Sequence, residues 1–139
     1  MHEVVRFLLP NMWLGVTIES DQYTWRANVL RDTPAAVRWI SAEPLLGPLP
    51  SLVLGGIDWV VAGGESGAGA RPCRVGWIHE IICQCAKADV RVFVKQLGAN
   101  PIGLMGDSLR LRDRKGGDMS EWDSPLHVRE FPRAAGAVR

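Results

Sequence analysis

Four short apolar runs, each followed by a charged residue near a turn, limit what this chain can fold into more than any other feature of the sequence. The runs are Met12–Ile18, Val37–Ala42, Asp58–Ala62 and Arg91–Val94, and the charged residues that follow them are Glu19, Glu43, Glu65 and Lys95. Short apolar runs bounded by turn residues are typical of strands buried on both faces. If these strands run parallel, their carboxyl ends meet at one edge of the sheet, where α/β proteins bind ligands. The sequence therefore predicts one shared site formed by these charged side chains.

The segments between the runs predict a β-α-β plan. Asp21–Arg31 has apolar residues at helical spacing with Asp21 as a candidate N-cap, and Arg74–Asp89 carries one broad apolar stripe. Three prolines exclude regular helix from the connection Glu43–Pro50, which is nevertheless apolar enough to pack against the sheet. We therefore predict an α/β fold, namely half of a (β/α) barrel with parallel strands, over residues 1–98.

After residue 98 the apolar runs give way to turn-like and alternating segments. Residues 99–139 predict a small irregular or β-structured C-terminal extension or cap, in which Leu109–Arg112 and Leu126–Phe131 alternate like the strands of a hairpin. Ala134–Arg139 is predicted to be frayed, and Glu3–Leu9 has the pattern of the last turns of a helix.

Composition narrows the classes of partner and cofactor. The formal net charge is +1, which favours neither nucleic acid nor an anionic membrane. No apolar run reaches the roughly 20 residues of a membrane-spanning helix and the N-terminus has no signal-peptide layout, so we expect a cytoplasmic protein. Cys73, Cys83 and Cys85 form neither a C-x-x-C pair nor a Cys/His cluster. We expect three reduced, mostly packed thiols and no metal site made by this chain alone.

A glycine-rich loop after the third run supplies the candidate cofactor-binding residues. Its spacing matches neither a Walker loop nor a dinucleotide fingerprint. Glycine allows the backbone to approach a ligand closely, and arginine suits two-pronged contacts with carboxylates or phosphates. The candidates are Gly63, Gly64, Glu65, Ser66, Arg71 and Gln96. The alternative is a plain βα loop in which Glu65 and Arg71 pair with each other.

Glu19, Glu43 and Lys95 are the candidate catalytic residues. Two neighbouring carboxylates raise one another's pKa, which would suit Glu19 and Glu43 as a proton shuttle. The same two carboxylates together with Glu65 would also suit Mg²⁺, which prefers oxygen ligands. A salt bridge between Glu43 and Lys95 is the structural alternative.

Four parallel strands cannot close a barrel, so the outer edges of Met12–Ile18 and Arg91–Val94 are predicted to be open. Open edges recruit partners, and the partner expected here is an N-terminal half-barrel chain or a second copy of this chain. Trp13, Trp39 and Trp59 belong to the strand runs and are predicted to pack in the core or between sheet and helices.

Six blocks of the chain, in order, resemble a phage- and prophage-associated family of unknown function. The blocks are Leu9–Thr17, Ser41–Gly47, Asp58–Gly67, Phe93–Gly98, Asp113–Asp118 and Val128–Pro132. That family is similar to the barrels of radical S-adenosylmethionine enzymes and spore photoproduct lyases. The resemblance implies an N-terminal half whose three closely spaced cysteines bind a [4Fe-4S] cluster. The blocks match only the C-terminal half of that family, so the resemblance also implies that this chain is a truncated C-terminal half. None of Cys73, Cys83 or Cys85 has the required spacing, and no cluster ligand is assigned to them.

Three hypotheses about function stay open at this point, and whether the chain is an enzyme stays open with them. In the first, the chain is inactive alone and uses S-adenosylmethionine and a [4Fe-4S] cluster only when an N-terminal half is supplied. In the second, it is a stand-alone module that binds a nucleotide or nucleic acid. A basic stretch near Trp122 would suit nucleic acid, but neighbouring acidic residues neutralise most of it, and a solvated polar turn is the favoured account; the stretch comprises Arg110, Arg112, Arg114 and Lys115. In the third, it is a non-functional remnant.

Overall fold

The computed structural model describes residues 9–133. The helix predicted over Glu3–Leu9, apart from Leu9 itself, and the fraying predicted over Ala134–Arg139 lie outside the described residues. Two α-helices occur within this range, α1 (Arg26–Asp32) and α2 (Val75–Ala88). Six strands accompany them: β1 (Trp13–Thr17), β2 (Val37–Ala42), β3 (Trp59–Gly63), β4 (Cys73–Arg74), β5 (Arg91–Gln96) and β6 (Pro101–Ile102). Single turns of 3-10 helix lie at Asp21–Tyr23, Met119–Glu121 and Ser124–Leu126.

The main sheet has the order β1-β2-β3-β5, and every neighbouring pair in it is parallel. The predicted α/β class and the parallel direction of the four strands are therefore confirmed. β4 and β6 form a separate, short parallel pair. The register between β3 and β5 shifts at Ala62, so that Gly63 lies opposite Gln96. Lys95, which was predicted to follow the last strand, lies within β5.

One face of the sheet is buried under the two helices. Ile40, Val60 and Val94 point into this core, because alternate residues of a strand project to the same face. The core continues into the proline-rich connection after β2, as predicted from its leucines. The connection contributes five buried side chains, those of Leu45, Leu49, Leu52, Leu54 and Ile57. No helix within residues 9–133 has the length and apolarity needed to cross a membrane.

The opposite face of the sheet carries a row of aromatic side chains, here called the aromatic face: Trp13, Trp39, Trp59, Phe93 and Phe131. Trp59 is its centre, with ring centroids 5.8 Å from Trp39, 6.0 Å from Trp13 and 6.2 Å from Phe93. The prediction that the strand tryptophans pack in the core or against helices was wrong. They lie on the face that no helix of residues 9–133 covers, and 50% of Trp13 is exposed. Gly15 is needed there because a Cβ would collide with the Trp39 ring.

The first predicted helix begins later than expected. Asp21 starts a 3-10 turn, and α1 begins at Arg26. The Asp21 carboxylate caps neither element but accepts hydrogen bonds from the amide and hydroxyl of Ser51, at 2.9 Å and 2.7 Å. The prediction that Asp21 is an N-cap was therefore wrong. Its carboxylate instead holds the loop at Ser51 in place.

The C-terminal extension does not form the predicted hairpin. Instead, the chain around Arg129 runs antiparallel along β5, with the Val94 amide donating to the Val128 carbonyl at 2.8 Å and the Glu130 amide to the Val92 carbonyl at 2.9 Å. The outer edge of β5 is thus covered, and the prediction that it is open was wrong. In the part of the sheet that is described, β1 forms the other edge and pairs only with β2. The extension also contributes the buried side chains of Trp122 and Leu126 to the core.

Candidate functional site

The carboxyl ends of the parallel strands bring the predicted charged residues to one edge of the sheet. We call this group the strand-end cluster: Glu19, Glu43, Glu65, Arg71 and Lys95. The first three residues follow β1, β2 and β3, and Lys95 lies near the end of β5. Arg71 returns to the same edge at the end of the glycine-rich loop. The parallel topology on which the shared site was predicted is therefore present.

Glu65 and Arg71 form the tightest pair of the strand-end cluster. The Glu65 Oε2 accepts from the Arg71 amide at 2.8 Å and from its Nε at 2.9 Å, while Oε1 accepts from Nη2 at 2.9 Å. These hydrogen bonds and the guanidinium charge lower the pKa of the Glu65 carboxyl from 4.5 to about 2. The pair spans the loop from 66 to 70 and closes it, as the structural alternative for these two residues anticipated.

The other two carboxylates each have their own cation. Lys95 Nζ donates to both oxygens of Glu43, at 2.9 Å and 3.2 Å. Glu19 lies 3.3 Å from Nη1 of Arg26, which also donates to the Thr17 carbonyl at 2.8 Å. The carboxylates of Glu19 and Glu43 therefore pair with cations and not with each other, contrary to the geometry that a two-carboxylate proton shuttle requires.

The arrangement proposed for Mg²⁺ is also not formed. Within residues 9–133, no three His, Cys, Asp or Glu side chains are grouped so that they could hold a metal ion. The physical reason is the pairing just described, which turns each glutamate of the strand-end cluster toward a different cation. Oxygen ligands for a cation would have to converge on one point.

Three of the candidate cofactor-binding residues hold the loop in place. A Cβ on Gly64 would collide with the Leu97 carbonyl oxygen and lie 2.9 Å from Cβ of Cys73, and one on Gly63 would lie 3.1 Å from the Gln96 carbonyl. The buried Gln96 donates from Nε2 to the Gly64 carbonyl at 2.9 Å. Because the backbones after β3 and β5 pack so closely, positions 63 and 64 have little or no room for a side chain, which explains the two adjacent glycines. Ser66 is exposed on the loop.

A cavity of about 400 Å³ lies beside the strand-end cluster. Glu19 and Arg71 line it, together with Tyr23 and Leu46. A carboxylate, a guanidinium and apolar surface thus face one small volume, which suits a ligand bearing both an amino group and a carboxylate. Tyr23 was missed from the sequence, because its place depends on the 3-10 turn that precedes α1.

The cysteines do not fit the ligand set of an iron–sulfur cluster. Cys73 and Cys85 are buried, and burial raises the pKa of each thiol to about 12. Cluster ligands are thiolates, so these two packed thiols are unsuited to the role. Cys83 is exposed on the outer side of α2. All three are free, as predicted.

The basic stretch of the extension is exposed, as expected for a solvated polar turn, but its ion pairing is less complete than its acidic neighbours suggested. Neighbouring acidic residues were expected to neutralise it. Of its four cations, only Arg112 forms an ion pair within residues 9–133, with Glu121 at 3.3 Å. A cavity of about 680 Å³ separates the other three cations from the glycine-rich loop. The acidic side chains of Asp113 and Glu121 accept hydrogen bonds mainly from backbone amides. Composition alone does not reveal which groups they contact.

Comparison with known proteins identifies the family and nothing about its chemistry. No curated protein and no solved structure matches this chain. Phage association and kinship with radical S-adenosylmethionine enzymes stay predictions, since the family match states neither. A family described as "Protein of unknown function (DUF5131)" matches residues 1–127, and the chain belongs to this family.

Proposed function

We propose that this chain is the C-terminal half of a phage-type (β/α) barrel related to the radical S-adenosylmethionine enzymes. In this proposal it holds a nucleotide-like cofactor at its strand ends and is inactive without a half that carries the iron–sulfur cluster. The observation that carries the proposal is a parallel sheet with two unequal faces. Helices bury one face, and aromatic side chains form the other, which no helix in the described part of the chain covers.

The uneven exposure of the aromatic face supports the proposal that a second half packs against it. On the β5 side, the C-terminal extension covers the sheet, with the Phe131 ring 5.8 Å from Trp59 and the Trp59 Nε1 donating to the Glu130 carbonyl at 2.8 Å. On the β1 side, Trp13 is half exposed. In a barrel this face would be the interior, and further strands would bury it.

The covered edge of β5 limits where a second half could join. Since Val128 and Glu130 already bond to β5, additional strands would enter beside β1. The resulting barrel would therefore be an open one, extended beside β1 and bounded at β5 by the extension. A second copy of this chain joined through both sheet edges, one of the arrangements expected from the sequence, would have to displace the extension first.

The strand-end cluster supports a cofactor with the charges of an amino acid. Arg71 suits its carboxylate, and Glu19 or Glu65 suits its amino group or ribose hydroxyls. S-adenosylmethionine, when bound beside a cluster, supplies radical chemistry. The chain's own part is to bind and orient this cofactor and to exclude water from the strand ends. The cofactor would replace one partner in the ion pairs Glu19–Arg26 and Glu65–Arg71. Ion pairs in contact with water are weak, so this exchange costs little free energy.

The test compares the chain alone with the chain co-produced with the cysteine-bearing N-terminal half that the resemblance implies. Alone, under anaerobic conditions with iron and sulfide, we expect no cluster absorbance and no cleavage of S-adenosylmethionine. Together, we expect a co-purifying complex with cluster absorbance and cofactor cleavage. Trp13→Lys should prevent the complex, because it places a charge on the surface that becomes buried.

Trp25→Lys is the matched control, since Trp25 is also exposed, at 57%, but lies before α1 and away from the aromatic face. It should leave the complex intact. A complex insensitive to Trp13→Lys, or a cluster formed on the chain alone, contradicts the proposal. The remnant hypothesis makes the opposite prediction, namely that the two halves do not associate at all.

A further inference from the structure

A second cavity, separate from the strand-end cluster, lies between the glycine-rich loop and the C-terminal extension; we call it the basic groove. Its volume is about 680 Å³, within the range of small-molecule sites. One wall is formed by the small residues Gly67, Ala68, Gly98 and Ala99. The opposite wall is the segment from 108 to 115, and Pro101 lies between the two.

Three cations on this wall have no ionic partner among the described residues. Arg110, Arg114 and Lys115 are exposed, and none takes part in an ion pair or a side-chain hydrogen bond within residues 9–133. The groove is lined by one carboxylate, Asp113. Three positive charges against one negative charge leave the groove cationic.

The acidic residues near the groove are occupied elsewhere. Asp113 accepts backbone hydrogen bonds from Lys115 at 3.0 Å and Gly117 at 2.7 Å, and these lower the pKa of its carboxyl. Glu121 accepts from the amides of Arg112 and Asp113, at 2.7 Å and 3.0 Å, and pairs with the Arg112 side chain. These carboxylates therefore hold the backbone of the segment in place and leave its three outer cations unneutralised.

Backbone contacts hold the two walls at a fixed separation. The Leu97 amide donates to the Gly116 carbonyl at 2.8 Å, and the Gly98 amide to the Lys115 carbonyl at 3.1 Å. A Cβ on Gly116 would lie 2.7 Å from the Gly98 oxygen, so the two chains meet as closely as backbone can. A preformed wall costs a ligand little ordering entropy.

The glycine wall adds hydrogen-bond donors. Within the described part of the chain, the amides of Gly67 and Ala68 donate to no backbone or side-chain acceptor. Gly67 has a φ of +98°, in the region that favours glycine. Successive free amides in such a turn form a concave site for anions.

The apolar lining sets a second requirement. Leu109, Leu111 and Pro101 face the same cavity as the cations. A ligand that satisfies both surfaces has an anionic group and a compact, partly apolar body. No aromatic side chain is among the residues lining the groove, and stacking on aromatic rings is the usual means by which proteins hold single-stranded nucleic acid.

We propose that the basic groove binds the phosphate group of a nucleotide-sized small molecule, with the body of the ligand against the leucines. Arg110 and Arg114 contact the phosphate from one wall, and the Gly67 and Ala68 amides contact it from the other. This site uses neither the iron–sulfur half nor the strand-end cluster. It therefore stands or falls independently of the proposed barrel.

The test measures binding of AMP, ATP and inorganic pyrophosphate to the intact chain by isothermal titration calorimetry. Binding should weaken as ionic strength rises from about 0.01 M to about 0.15 M, because the Debye length falls from roughly 30 Å to roughly 8 Å. Arg110→Gln and Arg114→Gln should each weaken nucleotide binding roughly tenfold, as expected for one charge-assisted contact.

Arg112→Gln is the matched control, since it removes the same charge from the same segment but its guanidinium faces Glu121 outside the groove. It should leave the nucleotide affinity within about twofold, a margin well inside the effect of one lost charge-assisted contact. All three variants should retain the unfolding midpoint of the unmodified chain. An equal loss in all three variants, or no binding of any of the three ligands at millimolar concentration, overturns the proposal. Tighter binding of a single-stranded oligonucleotide than of the nucleotides overturns the assignment to a small molecule.

Discussion

The strand-end cluster and the basic groove lie on either side of one glycine-rich loop, yet their charges are organised in opposite ways. In the strand-end cluster, each glutamate contacts a cation within 3.3 Å. In the basic groove, the cations of Arg110, Arg114 and Lys115 have no such contact among the described residues. The glutamates of the strand-end cluster are thus neutralised by cations of the chain itself, whereas the cations of the basic groove are available to an anionic ligand.

This difference shows that a charged residue at a strand end is not by itself a sign of a vacant site. A ligand at the strand-end cluster must compete with ion pairs that the chain already makes. A ligand at the basic groove gains contacts without breaking any. The comparison therefore predicts that anions bind first at the groove and that cofactor binding at the strand ends depends on an added half.

The largest effect should come from breaking the element that both regions share. Gly64→Ala places a Cβ against the Leu97 carbonyl oxygen and Cβ of Cys73. The carbonyl belongs to the backbone and cannot rotate away. We expect the free energy of unfolding to fall by about 2–3 kcal/mol, as for overpacking in a core. Urea denaturation followed by circular dichroism measures this loss.

Gly47→Ala is the control for Gly64→Ala, because a Cβ at Gly47 meets nothing within 4 Å. It should change the free energy of unfolding by less than about 0.5 kcal/mol. If Gly64→Ala were equally mild, the loop would not be held by close packing against β5. The two regions would then have no common structural support.

The strands and their direction could be predicted from the sequence, because short apolar runs and the turns that end them are local features. β2 matches its predicted bounds, and β1 and β3 differ from theirs by one residue at each end. The same reasoning located Glu19, Glu43, Glu65 and Lys95 at one edge. The pairs Glu43–Lys95 and Glu65–Arg71 were stated from the sequence as alternatives. The choice between an ion pair and a shared site depends on distances, which for Glu43 and Lys95 join residues 52 positions apart and which no local pattern contains.

The C-terminal extension shows the limit of pattern reading most clearly. Alternation over Leu126–Phe131 predicted a strand, but Leu126 ends a 3-10 turn, and the β-like part is confined to the chain around Arg129, whose partner is β5 and not Leu109–Arg112. The side chain of Arg129 helps to select this partner by donating to the carbonyls of Val94, Lys95 and Gly117 at 2.9–3.0 Å. An arginine that bonds two separate backbone segments, β5 and the turn at Gly117, looks in the sequence like any exposed cation.

A second prediction concerns a variant in which the cations of the basic groove gain a carboxylate partner within the chain. Ala99→Glu adds a carboxylate to the glycine wall, where the side chain of residue 99 is exposed and lines the cavity. The new carboxylate should pair with the cations opposite and repel phosphate, weakening nucleotide binding roughly tenfold or more. Ala86→Glu adds the same charge on exposed α2 away from the groove and should leave binding unchanged in the same titration. Equal losses in the two variants would mean that only the net charge matters.

The smallest effect concerns the acid stability contributed by Glu65. Arg71 lowers the pKa of this carboxyl from 4.5 to about 2, so the stabilisation from the pair is present above pH 4.5 and is lost as pH falls toward 2. Arg71→Gln should return the Glu65 pKa toward 4.5 and remove this pH dependence, while Arg114→Gln should leave it unchanged. A carbon-13 NMR titration of the carboxyl measures both variants. A midpoint near 4.5 in the unmodified chain would mean that the pair is open in solution. Arg71 would then be as available to anions as Arg114, and the contrast between the two regions would disappear.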